Sequence, residues 1–318
     1  MPGAAPGFAP GMKAVEYQTF GGADVLRVVD RPEPHVGPDT VLVKVVAASL
    51  NPVDHKIREG YLQGLIDTHL PAVPAWDVAG VVVEPGLDTP ELVAGDEVLA
   101  YARKDVVSDG TLAEYVAVPV RTAAKKPAGL SFEEAAALPL AGLTALQTVR
   151  RSGLGAGSTV LVHAAAGGVG SIAVQLAVHA GARVVGTASA GNHDYLRSIG
   201  AEPVAYGDGL VEAARGAAPD GFDVILDYVG GQAIDTARDL LRPGGTVVSI
   251  TDARARDELG GLYVWVRPDP GGLAELADLV VRGVVKVEIA ETFDLDHAAD
   301  AYRALETGHT RGKIVVRV

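Results

Sequence analysis

Cysteine is absent from the 318 residues. Its absence excludes disulfides, thiolate zinc sites and a cysteine nucleophile together. Aromatic residues are scarce at 5%, with only two tryptophans. Positive charge is in deficit: 27 Lys and Arg against 40 Asp and Glu give a formal net charge of −13. Nucleic acid and anionic membrane both need a basic footprint, so neither is expected as a partner. No apolar run reaches the ~18 residues of a membrane span. The opening MPGAAPGFAPG has neither the charged nor the apolar segment of a secretory signal. Residues 1–11 therefore read as a flexible extension, or as leader before an alternative start at Met12. The hydrophobic share of 48% supports a sizeable core, and the length allows two domains. A cytoplasmic enzyme is the simplest class.

Along the chain, residues 12–126 carry short β-like runs broken by Gly and Pro: VLVKVVAAS, VAGVVVEPG, DEVLAYA and LAEYVAVP. Such spacing suggests a small barrel or sandwich. The rhythm then changes. Ser131 followed by Glu134 is a capping box that opens a helical stretch, which Pro139 should divide in two. From Val160 onward, β-branched runs alternate with helical segments: TVLVHAA, RVVGTAS, EPVAY, FDVILDYV and GGTVVSI. Continuous apolar strands spaced by helices indicate a doubly wound parallel sheet buried on both faces. LAELADLVVRG reads as a helix, and RGKIVVRV closes the chain as a strand. The expected domains are thus 12–126 with 268–318, and an inserted α/β domain over 127–267.

HAAAGGVGSIAVQLAVHAG, His163 to Gly181, has a dinucleotide-binding context: an apolar strand, a small-residue turn, then a helix. Ala166, Gly167, Gly168, Val169 and Gly170 would let pyrophosphate oxygens touch backbone at the positive end of the helix dipole. The alternative is a small-residue helix start packed on a sheet. An NAD binder usually places an acid about 20 residues further on, at the tip of the second strand. Here that strand ends in Thr187, Ala188 and Ser189. A 2′-phosphate would not be repelled, and Ser189 has a hydroxyl to donate to it. Asn192 and Tyr195 lie just beyond, whereas Asp194 falls inside the next helix and supports its N-terminus. NADPH is the expected cofactor.

The ordered landmarks NPVDHKIREG, PAWDVAGVV, AGDEVLAYA, GTLAEYVAVP, LPLAGLTAL, HAAAGGVG, DVILDYVGG, RPGGTVVSI and RGKIVVRV resemble one group of the medium-chain dehydrogenase/reductase superfamily: its zinc-independent, zeta-crystallin-like quinone oxidoreductases. The resemblance implies an α/β protein in which a GroES-like β-rich catalytic domain carries an inserted Rossmann doubly wound parallel-sheet domain. It also implies an active site in the cleft between them, and a homodimer. GLYVWVRP is then either a strand pairing across the dimer or an edge covered within one subunit.

Zinc divides this superfamily. Zinc-dependent relatives carry a cysteine where NPVDHK stands and a His-Glu pair further on; this chain has Asn51 and Asp54, then Trp76 and Asp77. No metal is expected. Without a Lewis acid, hydride transfer suits a quinone or an α,β-unsaturated carbonyl, whose enolate can be held by hydrogen bonds. By resemblance, Asn51 and Asp54 lie beside the nicotinamide. Tyr61 matches a tyrosine that looks like a proton donor in polyketide enoyl reductases, or else it walls the pocket. Thr144 either bonds the cofactor near its nicotinamide end or packs a helix. Val229 and Gly230 are expected under the adenosine side, and Ser249 near the nicotinamide. Lys56 is read as an oxyanion stabiliser or an exposed ammonium, His55 as a group titrating near neutral pH or a surface or packing residue, Arg58 as a surface or pairing residue, Trp76 as a pocket or core aromatic, and Lys313 as part of the family's C-terminal signature.

The implied activity is NADPH-dependent reduction of a quinone or enone. One competing reading is a tailoring enoyl reductase of a polyketide-like pathway. Another, of a different class, is a nucleotide-binding protein without turnover.

Overall fold

The computed structural model describes residues 11–318. The extension expected over 1–11 lies outside the described residues, except for Gly11, which opens a strand (Gly11–Glu16) paired antiparallel with Arg27–Pro32. The chain divides into two units. The first runs to Leu140 and resumes over Pro268–Ala277 and Ile289–Val318; the second comprises Ala141–Arg267 and Asp278–Glu288.

In the first unit the long strand Thr40–Leu50 is central. It pairs antiparallel with Asp77–Pro85, with Tyr115–Pro119 and with the C-terminal strand Lys313–Arg317. Val43 and Val45 are buried while Lys44 between them is exposed, the period-2 pattern of a half-buried strand. Val41, Val43, Val45, Val78, Val98 and Val118 form one apolar cluster. The strand delivers the chain to Asn51, which is extended (φ −132°, ψ 152°) and caps the helix Pro52–Arg58. Pro52 suits the first helical turn because its missing N–H would have no intrahelical partner there.

The second unit holds a six-stranded parallel sheet. In chain order its strands are Thr159–Val162, Arg183–Thr187, Ala201–Val204, Phe222–Asp227, Leu241–Ser249 and Leu262–Tyr263. In space they run third, second, first, fourth, fifth, sixth. The order reverses between the first and fourth strands, where an open α/β sheet offers its ligand crevice. Val160, Leu161, Val162, Val184, Val185, Ile225 and Leu226 are buried, as a sheet covered on both faces requires. The sixth strand, from GLYVWVRP, has two residues and ends the sheet.

The division between units falls at Leu140 rather than at 126. The helix Phe132–Ala137 belongs to the first unit because Ala135, Ala136 and Ala137 are buried where it packs on Thr40–Leu50 and Asp77–Pro85. Its capping box forms as read: Glu134 N donates to Ser131 Oγ at 3.2 Å, and Ser131 N to Glu134 Oε2 at 3.1 Å. Pro139 opens a separate helix, Pro139–Ser152. The second unit also takes residues 278–288. There Gln175 clamps Lys286, donating to its carbonyl at 3.0 Å and accepting from its N–H at 2.8 Å.

Candidate functional site

In the second unit, the strand Thr159–Val162 leads into the loop His163–Gly167 and the helix Gly168–His179. Ala164 takes a left-handed conformation (φ 51°), which turns the chain sharply. The loop is tied to the second strand: Ala164 N donates to Thr187 Oγ1 at 3.1 Å and Ala165 N to Thr187 O at 3.0 Å. Glycine is required at 170, where a Cβ would lie 2.2 Å from Ala164 O. It is required again at 186, where a Cβ would lie 2.8 Å from that of Ala165. Gly167, Gly168 and Val169 are half-buried, while Ala166 and Gly170 are buried. First-turn N–H groups of a helix have no intrahelical acceptor and carry partial positive charge, so this mouth suits an anion. His163 is buried beneath the loop, and that burial pushes its imidazole down to about 4 against the opposing pull of Asp227.

At the tip of the second strand Ser189 is exposed, and its Oγ accepts from Asn192 Nδ2 at 3.2 Å. Tyr195 is half-buried in the next helix, His193–Ser198. Asp194 lies in that helix's first turn and pairs with Arg197 at 2.7 Å, so no carboxylate stands at residues 187–189. At the fourth strand's end, Asp227 Oδ1 accepts from Val229 N at 3.0 Å and Gly230 N at 2.8 Å. Val229 is exposed and Gly230 is left-handed (φ 76°). The Ser249 hydroxyl is engaged inside its own loop, donating to Asp227 Oδ2 and accepting from Thr251 N and Asp252 N. Thr144 is buried, and its carbonyl accepts from Thr148 Oγ1 at 2.8 Å.

In the first unit Asn51 and Asp54 come together inside a buried polar cluster that also holds Asp77 and Lys313. Asp54 Oδ2 accepts from Asn51 N at 2.7 Å. Asn51 Nδ2 donates to Asp77 Oδ2 at 2.8 Å, and Leu140 N donates to Asp77 Oδ1 at 2.9 Å. Lys313 Nζ donates to Leu50 O at 2.7 Å and to Asn51 Oδ1, and lies 3.8 Å from Asp77 Oδ2. Burial, reinforced by the Asp77 charge, pushes the Asp54 carboxyl up to about 7. Burial likewise raises Asp77 to about 6, against the ammonium of Lys313 and three hydrogen bonds. The Lys313 ammonium is pushed down by burial and held up by Asp77 and Asp54.

Tyr61 is not part of this cluster. It follows the helix Pro52–Arg58 and is 73% exposed. Lys56 is exposed, and Trp76 is a core aromatic set edge-on to Tyr101 at 6.0 Å. Arg58, read as a surface or pairing residue, pairs but is fully buried: it meets Glu306 at 2.8 Å and lies over the Tyr302 ring at 5.0 Å.

The cluster does not fit a catalytic zinc. The Asp77 carboxylate already accepts from Asn51, Leu140 and Ser49, and an ammonium stands beside it where a dication would be repelled. Among the described residues no group of three His, Cys, Asp or Glu side chains could hold a metal ion.

Asp77, Lys313 and Asp227 were the residues that the motifs did not single out as site residues. Asp227 had a local signal, an acid at the carboxyl end of an apolar strand. Lys313 had its place in the family's C-terminal pattern and the oddity of a lysine heading a buried IVV run.

A doubly wound sheet with an anion-binding helix mouth, on a chain whose other unit is a GroES-like β structure, defines a two-domain nicotinamide-nucleotide oxidoreductase. The family described as "Alcohol dehydrogenase GroES-like domain" matches residues 37–128, and that described as "Zinc-binding dehydrogenase" matches 199–316. The chain belongs to the medium-chain dehydrogenase/reductase superfamily, among its quinone oxidoreductase and alkenal reductase relatives. It is 39% identical over 315 residues to the chloroplastic NADPH-dependent alkenal/one oxidoreductase of Arabidopsis thaliana, covering 96% of this chain and 79% of that one. The chloroplast envelope quinone oxidoreductase homolog of the same plant is 35% identical, with 96% and 98% covered. The solved quinone oxidoreductase of Coxiella burnetii superposes with a TM-score of 0.89 at 36% identity, covering 97% of this chain and all of that one.

Proposed function

We propose that the protein is a zinc-independent, NADPH-dependent reductase that delivers hydride to a quinone or an α,β-unsaturated carbonyl. The observation that carries this reading is the Asn51–Asp77–Lys313 cluster, whose geometry is unsuited to zinc at the position where zinc-dependent relatives bind it. In zinc-dependent alcohol oxidation the metal stabilises the alkoxide, whereas a conjugated acceptor delocalises its charge onto an oxygen that hydrogen bonds can stabilise. The names of the Arabidopsis relatives, an alkenal/one oxidoreductase and a quinone oxidoreductase homolog, support the same acceptors.

When bound, NADPH supplies the hydride. The first-turn N–H groups of Gly168–His179 would hold the pyrophosphate, and Gly170 lets the helix start pack against the turn at Ala164 that presents them. Ser189 and Asn192 offer a hydroxyl and an amide to a 2′-phosphate at a strand tip free of carboxylate. Asn51 orients the ring or acceptor, and Asp54, held up to about 7 by burial, stands beside it as a proton-bearing group near neutral pH. Tyr61, exposed after the helix, is the other candidate donor. We take the protein to act as a homodimer, supported by the sheet ending on the short Leu262–Tyr263 strand, an edge that a second copy would cover.

The test is cofactor oxidation followed by absorbance, with a simple quinone and then an enone, under NADPH and NADH in turn. Turnover with NADPH and either acceptor is expected. Tight NADPH binding without oxidation by any acceptor would sink the catalytic reading, and faster turnover with NADH would overturn the cofactor assignment. Light scattering on the pure protein decides the dimer.

A further inference from the structure

We propose that Lys313 is a positioning residue that acts through the side-chain amide of Asn51; this rests on the reductase reading above. An asparagine amide can sit in two orientations that differ only by exchange of oxygen and nitrogen. Here the partners decide between them. An ammonium only donates and an ionised carboxylate only accepts, so Oδ1 must face Lys313 and Nδ2 must face Asp77. The cation and the anion thus hold the amide from both ends. The direction of the amide is set by that grip, and the side chain also meets Asp54.

Lys313 is brought to Asn51 by sheet register. Ile314 pairs with Leu50 across the antiparallel strands, so the residue before Ile314 lies beside the residue after Leu50. Gly312, left-handed at φ 80°, turns the chain into the strand just ahead of it. The ammonium is anchored a second time on Leu50 O at 2.7 Å, and the side chain is 5% exposed. A lysine that served only as packing would be replaceable by an apolar side chain of similar volume, since isolated buried charge is costly. Lys313 spends its donors on the residue that contacts ring or acceptor and on the carbonyl just before it.

The test is a double-substitution cycle on the intact enzyme: Lys313→Met, Asn51→Ala and both together, read as kcat/KM with the better acceptor. Lys313→Met alone is expected to lower kcat/KM about ten- to hundredfold, the value of one charge-assisted hydrogen bond. In the Asn51→Ala background the same change should cost less than about threefold. Equal losses in both backgrounds would overturn the proposal, because a purely structural lysine does not need Asn51 to exert its effect. Should Lys313→Met fail to fold, Asp77→Asn removes the group that obliges Nδ2 to face one way, and the same non-additivity with Asn51→Ala is expected. Absence of wild-type turnover with every acceptor would instead strike the reductase reading. The positioning claim is then read from the side-chain amide resonance of Asn51, which must shift in Lys313→Met; an unmoved resonance overturns it.

Discussion

Ser249, at the end of the fifth strand of the nucleotide unit, donates its hydroxyl hydrogen to Asp227 Oδ2 across 2.6 Å. Asp227 in turn receives the N–H groups of Val229 and Gly230, so one buried carboxylate shapes the loops after two neighbouring strands. Replacing Ser249 by Ala leaves that carboxylate short of a donor and frees the N–H groups of Thr251 and Asp252. A hydrogen bond to a charged group contributes about 1.5–3 kcal/mol, and a loss of that order is expected in urea unfolding. An unchanged midpoint would count against Asp227 as the organiser of these loops.

Gly170→Ala should weaken NADPH binding at least tenfold, because its Cβ would meet Ala164 O at 2.2 Å and open the anion-binding turn. Gly216→Ala is the control: that helical position has open space around it, and alanine there adds roughly 0.5–1 kcal/mol of stability. Fluorescence titration with NADPH separates the two. Equal affinities would show that the tight turn is not the binding site.

The paired carboxyls of Asp54 and Asp77 predict a pH dependence. Burial raises them to about 7 and about 6, above the ~3.9 of an aspartate in an unfolded chain. Between about pH 4 and 7 the folded state therefore binds more protons than the unfolded state, and these groups make stability fall as pH rises. Asp54→Asn, whose amide oxygen can still accept from Asn51 N, should flatten that fall and gain most at pH 8. Urea midpoints at pH 5 and 8 for both proteins give the answer; parallel pH curves would refute it.

Tyr302 is fully buried, and its hydroxyl has no hydrogen-bond partner among the described residues, while its ring lies under Arg58. Tyr302→Phe keeps the ring and removes the orphaned polar atom. Thermal unfolding should be unchanged, or raised by the equivalent of up to about 1–3 kcal/mol, the cost of a buried unmade hydrogen bond. Tyr302→Leu, which also loses the cation–π contact, should unfold earlier than Tyr302→Phe. A drop for Tyr302→Phe as large as that for Tyr302→Leu would show that the hydroxyl is used.

The nucleotide unit was the most legible part of the chain, and the reason is local. Runs such as TVLV and DVILD have to be strands buried on both faces, and HAAAGGVG carries its small residues in consecutive positions. The Ser131–Glu134 cap and the Pro139 break are likewise contacts between near neighbours, and all appear as read. The boundary at Leu140 was not legible. The helix Phe132–Ala137 resembles its α/β neighbours in composition, and only packing on the β-sheet assigns it to the first unit.

In the buried polar cluster, NPVD by itself put Asn51 and Asp54 three residues apart at a helix start, where a capping contact follows from geometry. The same motif could not show that Asn51's amide is gripped by Asp77 from one strand and Lys313 from another, 26 and 262 residues away. Nor could it show that Arg58 is buried, because a guanidinium at a helix end is equally suited to solvent until Glu306 and Tyr302 are packed against it. Local pattern determined the elements, the glycine turn and the absence of thiolate chemistry, since these depend on residue type and short spacing. The tertiary structure alone decided which distant charges share the low-dielectric interior, and so how Asn51 is oriented and which carboxyl keeps its proton.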